Sequence, residues 1–342
     1  MSIQFDLTAG RTEDHGKRIG KLLRSLGALT AQKKTWSSLT MLGVLWRIAA
    51  NPRRHRTVLN MRWNSVYSEH LERDPRFLFK YLTHDYMARS MSVQARAACF
   101  VHHYRRLYTE LPDGMLRRVL LDEVPLLEMP DAGCWFSITM GLSKPWDKEG
   151  ELSLNMRVNG QLAYVLSFSV VPGWVVGSMA PEVMLIGRLQ GERGGKQLIA
   201  MASKSMCDVA PAAALLAALE GVGEALGVYA VASVRAEDQT SYREFFRENF
   251  LSAYDNFFAA LAVPLNEKGF FLTSIPVPEK PMSAIKRGHK IRTKAKREFK
   301  RRIAAEVCIM LRAYRRVRLL AFPPAESPAN LSWGTRYVLG DG

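Results

Sequence analysis

Glu182-Val-Met-Leu-Ile-Gly-Arg-Leu-Gln-Gly-Glu-Arg-Gly-Gly-Lys196 is the stretch whose reading decides the fold. Val183, Met184, Leu185, Ile186 and Leu189 make a short apolar run of strand length, and Gly191, Gly194 and Gly195 follow as a flexible turn. From Lys196 to Met206 the apolar spacing turns helical. A strand running through a glycine turn into a helix is the basic step of an α/β fold.

Upstream, Cys134 to Met140 reads as a strand ended by Gly141. Glu151 to Arg157 alternates, with Leu152, Leu154 and Met156 on one face. Asn159-Gly160 is a tight-turn signal, and Leu162 to Val171 returns as the partner strand before Pro172-Gly173 ends it. Residues 134–190 are thus expected to form a run of antiparallel strands. Downstream, Asp208 and Pro211 suit a helix start, Leu215, Leu216 and Leu219 continue it, and Gly227 is placed to end it. Val228 to Val234 is a short strand apolar on both faces. A helix from about Tyr242 to Leu261 and a last strand from Gly269 to Ile275 complete the core. Pro276, Pro278 and Pro281 make a joint.

The N-terminal region reads as helical. Trp36, Leu39, Leu42, Leu45, Trp46 and Ile48 have roughly helical spacing over Lys33 to Ile48, and Asn51-Pro52 interrupts them. The basic step Arg53, Arg54, His55 and Arg56 follows. Helical patterns resume at Phe77-Leu78-Phe79 and from Val93 to Leu107. The expected organisation is a helical region over 1–130, an α/β core over 131–280, a basic amphipathic helix over 281–320 and a tail over 321–342.

Charge is segregated. The net +16 divides into +9 for residues 1–65, −5 for 66–279, +13 for 280–318 and −1 for 319–342. No stretch of eighteen consecutive apolar residues is present. Met1 to Lys21 is too charged for the apolar core of a secretory signal, so a cytoplasmic protein is expected. Cys99, Cys134, Cys207 and Cys308 are scattered without metal-ligand spacing, as buried thiols in a reducing compartment would be.

The positive charge culminates in one helix. Ile291, Ala295, Phe299, Ile303, Val307, Met310, Leu311, Tyr314 and Val317 trace a single face. Lys290, Arg292, Lys294, Lys296, Arg297, Lys300 and Arg301 surround its first half, with Lys286, Arg287 and Arg302 nearby. The apolar stripe is expected to dock on the core and leave residues 286–302 to a polyanion. An anionic membrane surface, a nucleic acid backbone and an acidic partner all satisfy this pattern. Membrane contact would place the chain peripherally at the inner membrane.

Phe100-Val-His-His-Tyr104, Glu149-Gly-Glu-Leu-Ser-Leu154, Leu166-Ser-Phe-Ser169, Ile186-Gly-Arg-Leu-Gln-Gly191, Tyr254-Asp255 and Arg297-Glu-Phe-Lys-Arg-Arg302 follow one another as in the VirK/YbjX family of Gram-negative bacteria. The resemblance spans residues 77–312. It implies a setting of virulence, antimicrobial-peptide resistance and envelope or lipid A stress, and no reaction. The chain departs from the family pattern after Asp255, where Phe257-Phe258 and Ala260-Leu261-Ala262 replace a tryptophan and a glycine pair.

The element order also resembles that of GNAT-like acyltransferases, in which a mixed sheet is flanked by helices. That resemblance implies acyl-CoA as donor, its pyrophosphate held by Arg188, Gln190, Gly191, Gly194 and Gly195, with Arg193 standing where a second small residue is usual. It further implies Glu149 or Glu151 as general base, each at the start of a central strand, and Tyr254 as the acid that protonates the departing thiolate. Two functions therefore stand side by side: an acyl-CoA-dependent N- or O-acyltransferase, and a non-catalytic protein that binds a polyanion. His102-His103 point about 100° apart on a helix, so one is expected buried and the other exposed.

Overall fold

The computed structural model describes residues 38–321 apart from 60, 62–64, 84, 132–133, 144–147 and 193. Three expectations, the helical start at Lys33, Arg193 and the tail beyond Ala321, lie outside the described residues. The helical region holds α1 (Ser38–Ala50), α2 (Pro52–Leu59), α3 (Ser65–Arg73), a 3₁₀ segment (Pro75–Leu82), α4 (Val93–Glu110) and α5 (Asp113–Leu121). Ser92 caps α4 by accepting from the Ala95 amide, and Asn51-Pro52 separates α1 from α2. Leu42 and Trp46 of α1 stay exposed, so the N-terminal stripe is only partly used for packing.

Seven strands follow in one sheet: β1 (Glu123–Asp131), β2 (Cys134–Leu142), β3 (Leu152–Val158), β4 (Gln161–Pro172), β5 (Glu182–Gly191), β6 (Ala230–Val234) and β7 (Phe270–Ser274). Their spatial order is their chain order. All neighbours are antiparallel except β5 and β6. A parallel pair needs a crossover, and α6 (Lys196–Ser205) with α7 (Pro211–Leu226) supplies it. This is the mixed sheet flanked by helices that the sequence led us to expect. β1 begins inside the stretch assigned to helix, so the sheet starts eight residues earlier than the 131 boundary.

The antiparallel part follows the alternation. Asn159 and Gly160 take positive φ (49° and 78°), the turn that matches strand twist, and join β3 to β4. Ile138, Met156, Leu154 and Leu166 form the apolar face. Across the other face run small or polar partners: Gly141 opposite Ser153, Ser153 opposite Ser167, and Ser167 opposite Arg188. Glu123 adds a network there, accepting from Thr139, Asn155 and Arg157.

α7 is buried along almost its whole length and is sandwiched between the sheet and α10 (Lys290–Ala321). Close approach needs Gly221, where a Cβ would fall 2.3 Å from the Ala304 carbonyl oxygen. On α10, Ile303, Val307, Cys308 and Leu311 are buried, and the Phe299 ring lies 6.3 Å from Phe136. The stripe does dock on the core. Its ends differ from expectation, since Ile291 is 87% and Met310 40% exposed. A helix that outruns the surface it lies on has no partner for its first apolar residue.

The helix expected over Tyr242–Leu261 is broken. A short 3₁₀ turn (Glu244–Phe246), α8 (Arg247–Ala253) and α9 (Asp255–Ala260) replace it, with Tyr254 at the joint (φ −115°, ψ −74°). The joint faces the seam of the sheet.

Candidate functional site

β5 and β6 pair over only three positions, Met184 to Ile186 against Val231 to Ser233. At the same height β5 bulges: Ile186 opposes Phe168 and Arg188 opposes Ser167, leaving Gly187 over. Gly187 is required, because a Cβ would sit 1.9 Å from the Glu149 carbonyl oxygen. Beyond the bulge the β6 side of β5 has no ladder partner, and the sheet splays.

The residues in the splay come from four parts of the chain. The Leu189 amide donates to the Tyr254 hydroxyl at 3.2 Å, and Tyr254 is fully buried. Burial pushes the Tyr254 phenol well up, the Glu149 charge adds to this, and Arg188 opposes it. Glu149 is buried, and its carboxylate accepts from Ser241 N (3.0 Å), Ser241 Oγ (2.5 Å) and Thr240 Oγ (3.1 Å), in the loop after β6. Asp255 accepts from the Ala236 amide at 2.7 Å, so both residues of the Tyr254-Asp255 pair tie the helix joint across the seam. Phe250 stacks on Tyr254, and Phe258 on Phe271, so aromatic rings fill the space beneath.

Glu149, Arg188 and Tyr254 are thus brought together. Glu151 is not with them. It is completely buried against the helical region, where it accepts from Lys80 Nζ at 2.7 Å and from the Tyr86 and Tyr104 hydroxyls. Burial alone would raise its carboxyl; the Lys80 charge and these donors hold it below the ordinary value. Nearby, His103 is buried with Nδ1 accepting from the Val170 amide, while His102 pairs with Glu182 at 2.9 Å. His103 is thus the buried histidine that was expected, whereas His102 is half-buried against Glu182 and not exposed.

The glycine turn is less open than a phosphate cradle. The Glu192 amide donates to the Ala163 carbonyl and the Gly195 amide to the Glu192 carbonyl. Gly191 pairs with Tyr164, and Gly194 is exposed with φ 80°. Gly195 caps α6 without a side chain, so the outward donors are the first amides of α6 rather than the turn itself. Gln190 and Arg188 flank it, half-buried.

The basic helix divides into two groups. Lys290, Arg292 and Lys294 are exposed, with Arg292 paired to Asp208 and Lys294 to Glu298. Arg297, Lys300 and Arg301 converge on Glu279 at 3.2, 2.7 and 3.4 Å. Lys296 has no ion-pair partner among the described residues. These inner four line a cavity of about 630 Å³ between α7, α9 and α10. Sequence reasoning missed the cavity, because its floor lies on a helix read only as core.

Among the described residues no helix is long and apolar enough to cross a membrane. The fold and the seam define a mixed α/β protein with a splayed, bulged sheet. The chain belongs to the family described as proteins of unknown function, DUF535, which matches residues 40–305. Comparison with curated proteins and with solved structures finds no match.

Proposed function

We propose that the seam between β5 and β6 is an acyl-transfer site. One observation carries this: the Leu189 amide, cut off from the ladder by the Gly187 bulge, is held by a tyrosine hydroxyl with Glu149 and Arg188 in electrostatic reach. A thioester carbonyl taking the place of that hydroxyl on the amide would be polarised. Glu149 would take the proton of an attacking amine or hydroxyl, the new C–N or C–O bond would form as C–S breaks, and Tyr254 would return a proton to the thiolate. A phenol raised by burial keeps its proton until the thiolate needs it. Arg188 and the first amides of α6 would face the pyrophosphate of acyl-CoA. The VirK/YbjX resemblance supplies a setting, envelope stress and antimicrobial-peptide resistance, and the acceptor would belong to it.

The test is thermal unfolding of the full chain with CoA, acetyl-CoA and palmitoyl-CoA, alongside thiol release. Stabilisation reduced by Arg188→Ala, with thiol release lost in Glu149→Gln, is the expected result. No shift at millimolar ligand removes the proposal.

A second reading rests on the exposed group Lys290, Arg292 and Lys294, on the first turns of a helix anchored further along by the buried Ile303, Val307 and Leu311. Such a cationic ridge suits an anionic membrane surface or nucleic acid, at the inner-membrane surface in the first case. Retention on anionic vesicles or on nucleic acid should fall steeply with salt and be lost when the three become glutamine. Unchanged retention on both discards it.

A further inference from the structure

We infer that the cavity between α7, α9 and α10 binds a single-chain anionic amphiphile. The inference does not rest on the acyl-transfer reading, because the cavity shares no residue with the seam. Its volume, about 630 Å³, lies within the roughly 300–1,000 Å³ typical of small-molecule sites.

The cavity lies between two helices, with the joint after β7 and the end of α9 beside them. α7 and α10 run side by side in the same direction, with Asp208 at Arg292, Gly221 at Ala304 and Glu224 at Arg312. They approach closely at Gly221, and the cavity lies on the N-terminal side of that contact. There α7 presents small side chains, Ala210, Ala213 and Ala217, with Val209 and Leu216 beside them. Ala260 and Leu261 at the end of α9 close another side. This wall is apolar and suits a hydrocarbon chain.

The opposite wall is cationic. Lys296, Arg297, Lys300 and Arg301 all project from one stretch of α10. Ala210, the N-cap of α7, brings no side chain to the first amides of that helix, so its positive dipole end adds to the same field. Three acidic residues line the space, and one of them, Asp208, is paired with Arg292 at 2.9 Å. Glu220 is tied by the Val277 amide at 2.7 Å, and its burial favours the neutral form. Glu279 sits among Arg297, Lys300 and Arg301 as the anion they hold at present. A carboxylate or phosphate head with one acyl chain satisfies both walls.

Calorimetric titration of the full chain tests this below the critical micelle concentration. The probes are oleate, oleoyl lysophosphatidate, oleyl alcohol and inorganic phosphate. Micromolar binding of oleate or lysophosphatidate is expected, with oleyl alcohol and phosphate at least tenfold weaker. A preference between the first two assigns the head as carboxylate or phosphate. Lys296→Glu should weaken binding at least tenfold, and Glu279→Gln, which releases three cations, should tighten it severalfold. Ala213→Trp should abolish binding by filling the floor; Ala260→Trp, at an exposed position, gives the same reading if the first variant fails to fold. The inference is overturned if neither amphiphile binds. It is equally overturned if oleyl alcohol binds as well as oleate, or if binding survives both tryptophan variants.

Discussion

Single residues carry the sharpest expectations. Lys80 is the ammonium partner of a fully buried carboxylate, Glu151, and its own side chain is only 13% exposed. Lys80→Met leaves that charge uncompensated and should cost ~3–5 kcal/mol, read from urea unfolding. A loss below 1 kcal/mol would show that Glu151 is not charged in the native state. Tyr254→Phe removes the only described acceptor of the Leu189 amide and should cost ~1–3 kcal/mol. The same variant should slow thiol release if the seam is catalytic. Neither role was legible in residue types. Glu149 and Glu151 stand two apart before β3, which on a strand would aim both the same way. Both precede the strand, whose first residue is Leu152, and the backbone between them follows no alternation. Glu149 therefore reaches the loop after β6, and Glu151 reaches the helical region.

Elements show where local pattern suffices and where it fails. β3, β4 and β5 lie where alternation and Asn159-Gly160 placed them, because strand period and turn chemistry are local. β1 escaped notice because Pro125 and Pro130 argue against a strand interior. It is the first strand in the sheet order, an edge where a missing amide is tolerated. The break at Tyr254 has no breaker residue either: Ser252-Ala253-Tyr254-Asp255 reads as ordinary helix. Two bonds to distant amides, Leu189 and Ala236, pull the chain out of register there. The bulge in β5 should be equally sensitive. Gly187→Ala forces a Cβ into the Glu149 carbonyl and should destabilise by ~1–3 kcal/mol, displacing Glu149 as it does so. A variant with unchanged urea midpoint would place the bulge elsewhere.

At the scale of the whole molecule, buried titratable groups couple stability to pH. Burial lowers His103 to about 3 and His70 to about 4, from 6.5. Both are neutral in the fold, so their contribution is complete above pH 6.5 and is lost as pH falls, while the unfolded chain takes up protons. Glu151, held below its ordinary 4.5, acts in the same direction at lower pH: its contribution is present above 4.5 and is lost as pH drops through its folded value. Stability should therefore decline steadily from pH 6.5 to pH 4, by about 1.4 kcal/mol per pH unit for each histidine. His103→Gln should flatten that slope by one proton; an unaltered slope would mean that His103 is solvated. The segregated charge of the chain, the strand periods and the docking stripe of α10 were all readable directly, since composition and period are properties of neighbouring residues. Which carboxylate meets Tyr254, and that a cavity opens beneath the inner cations, was decided only by tertiary structure. Those arrangements join residues far apart in the chain through the bulge at Gly187 and the helix contact at Gly221. Their geometry depends on how closely two backbones approach, which no local pattern records.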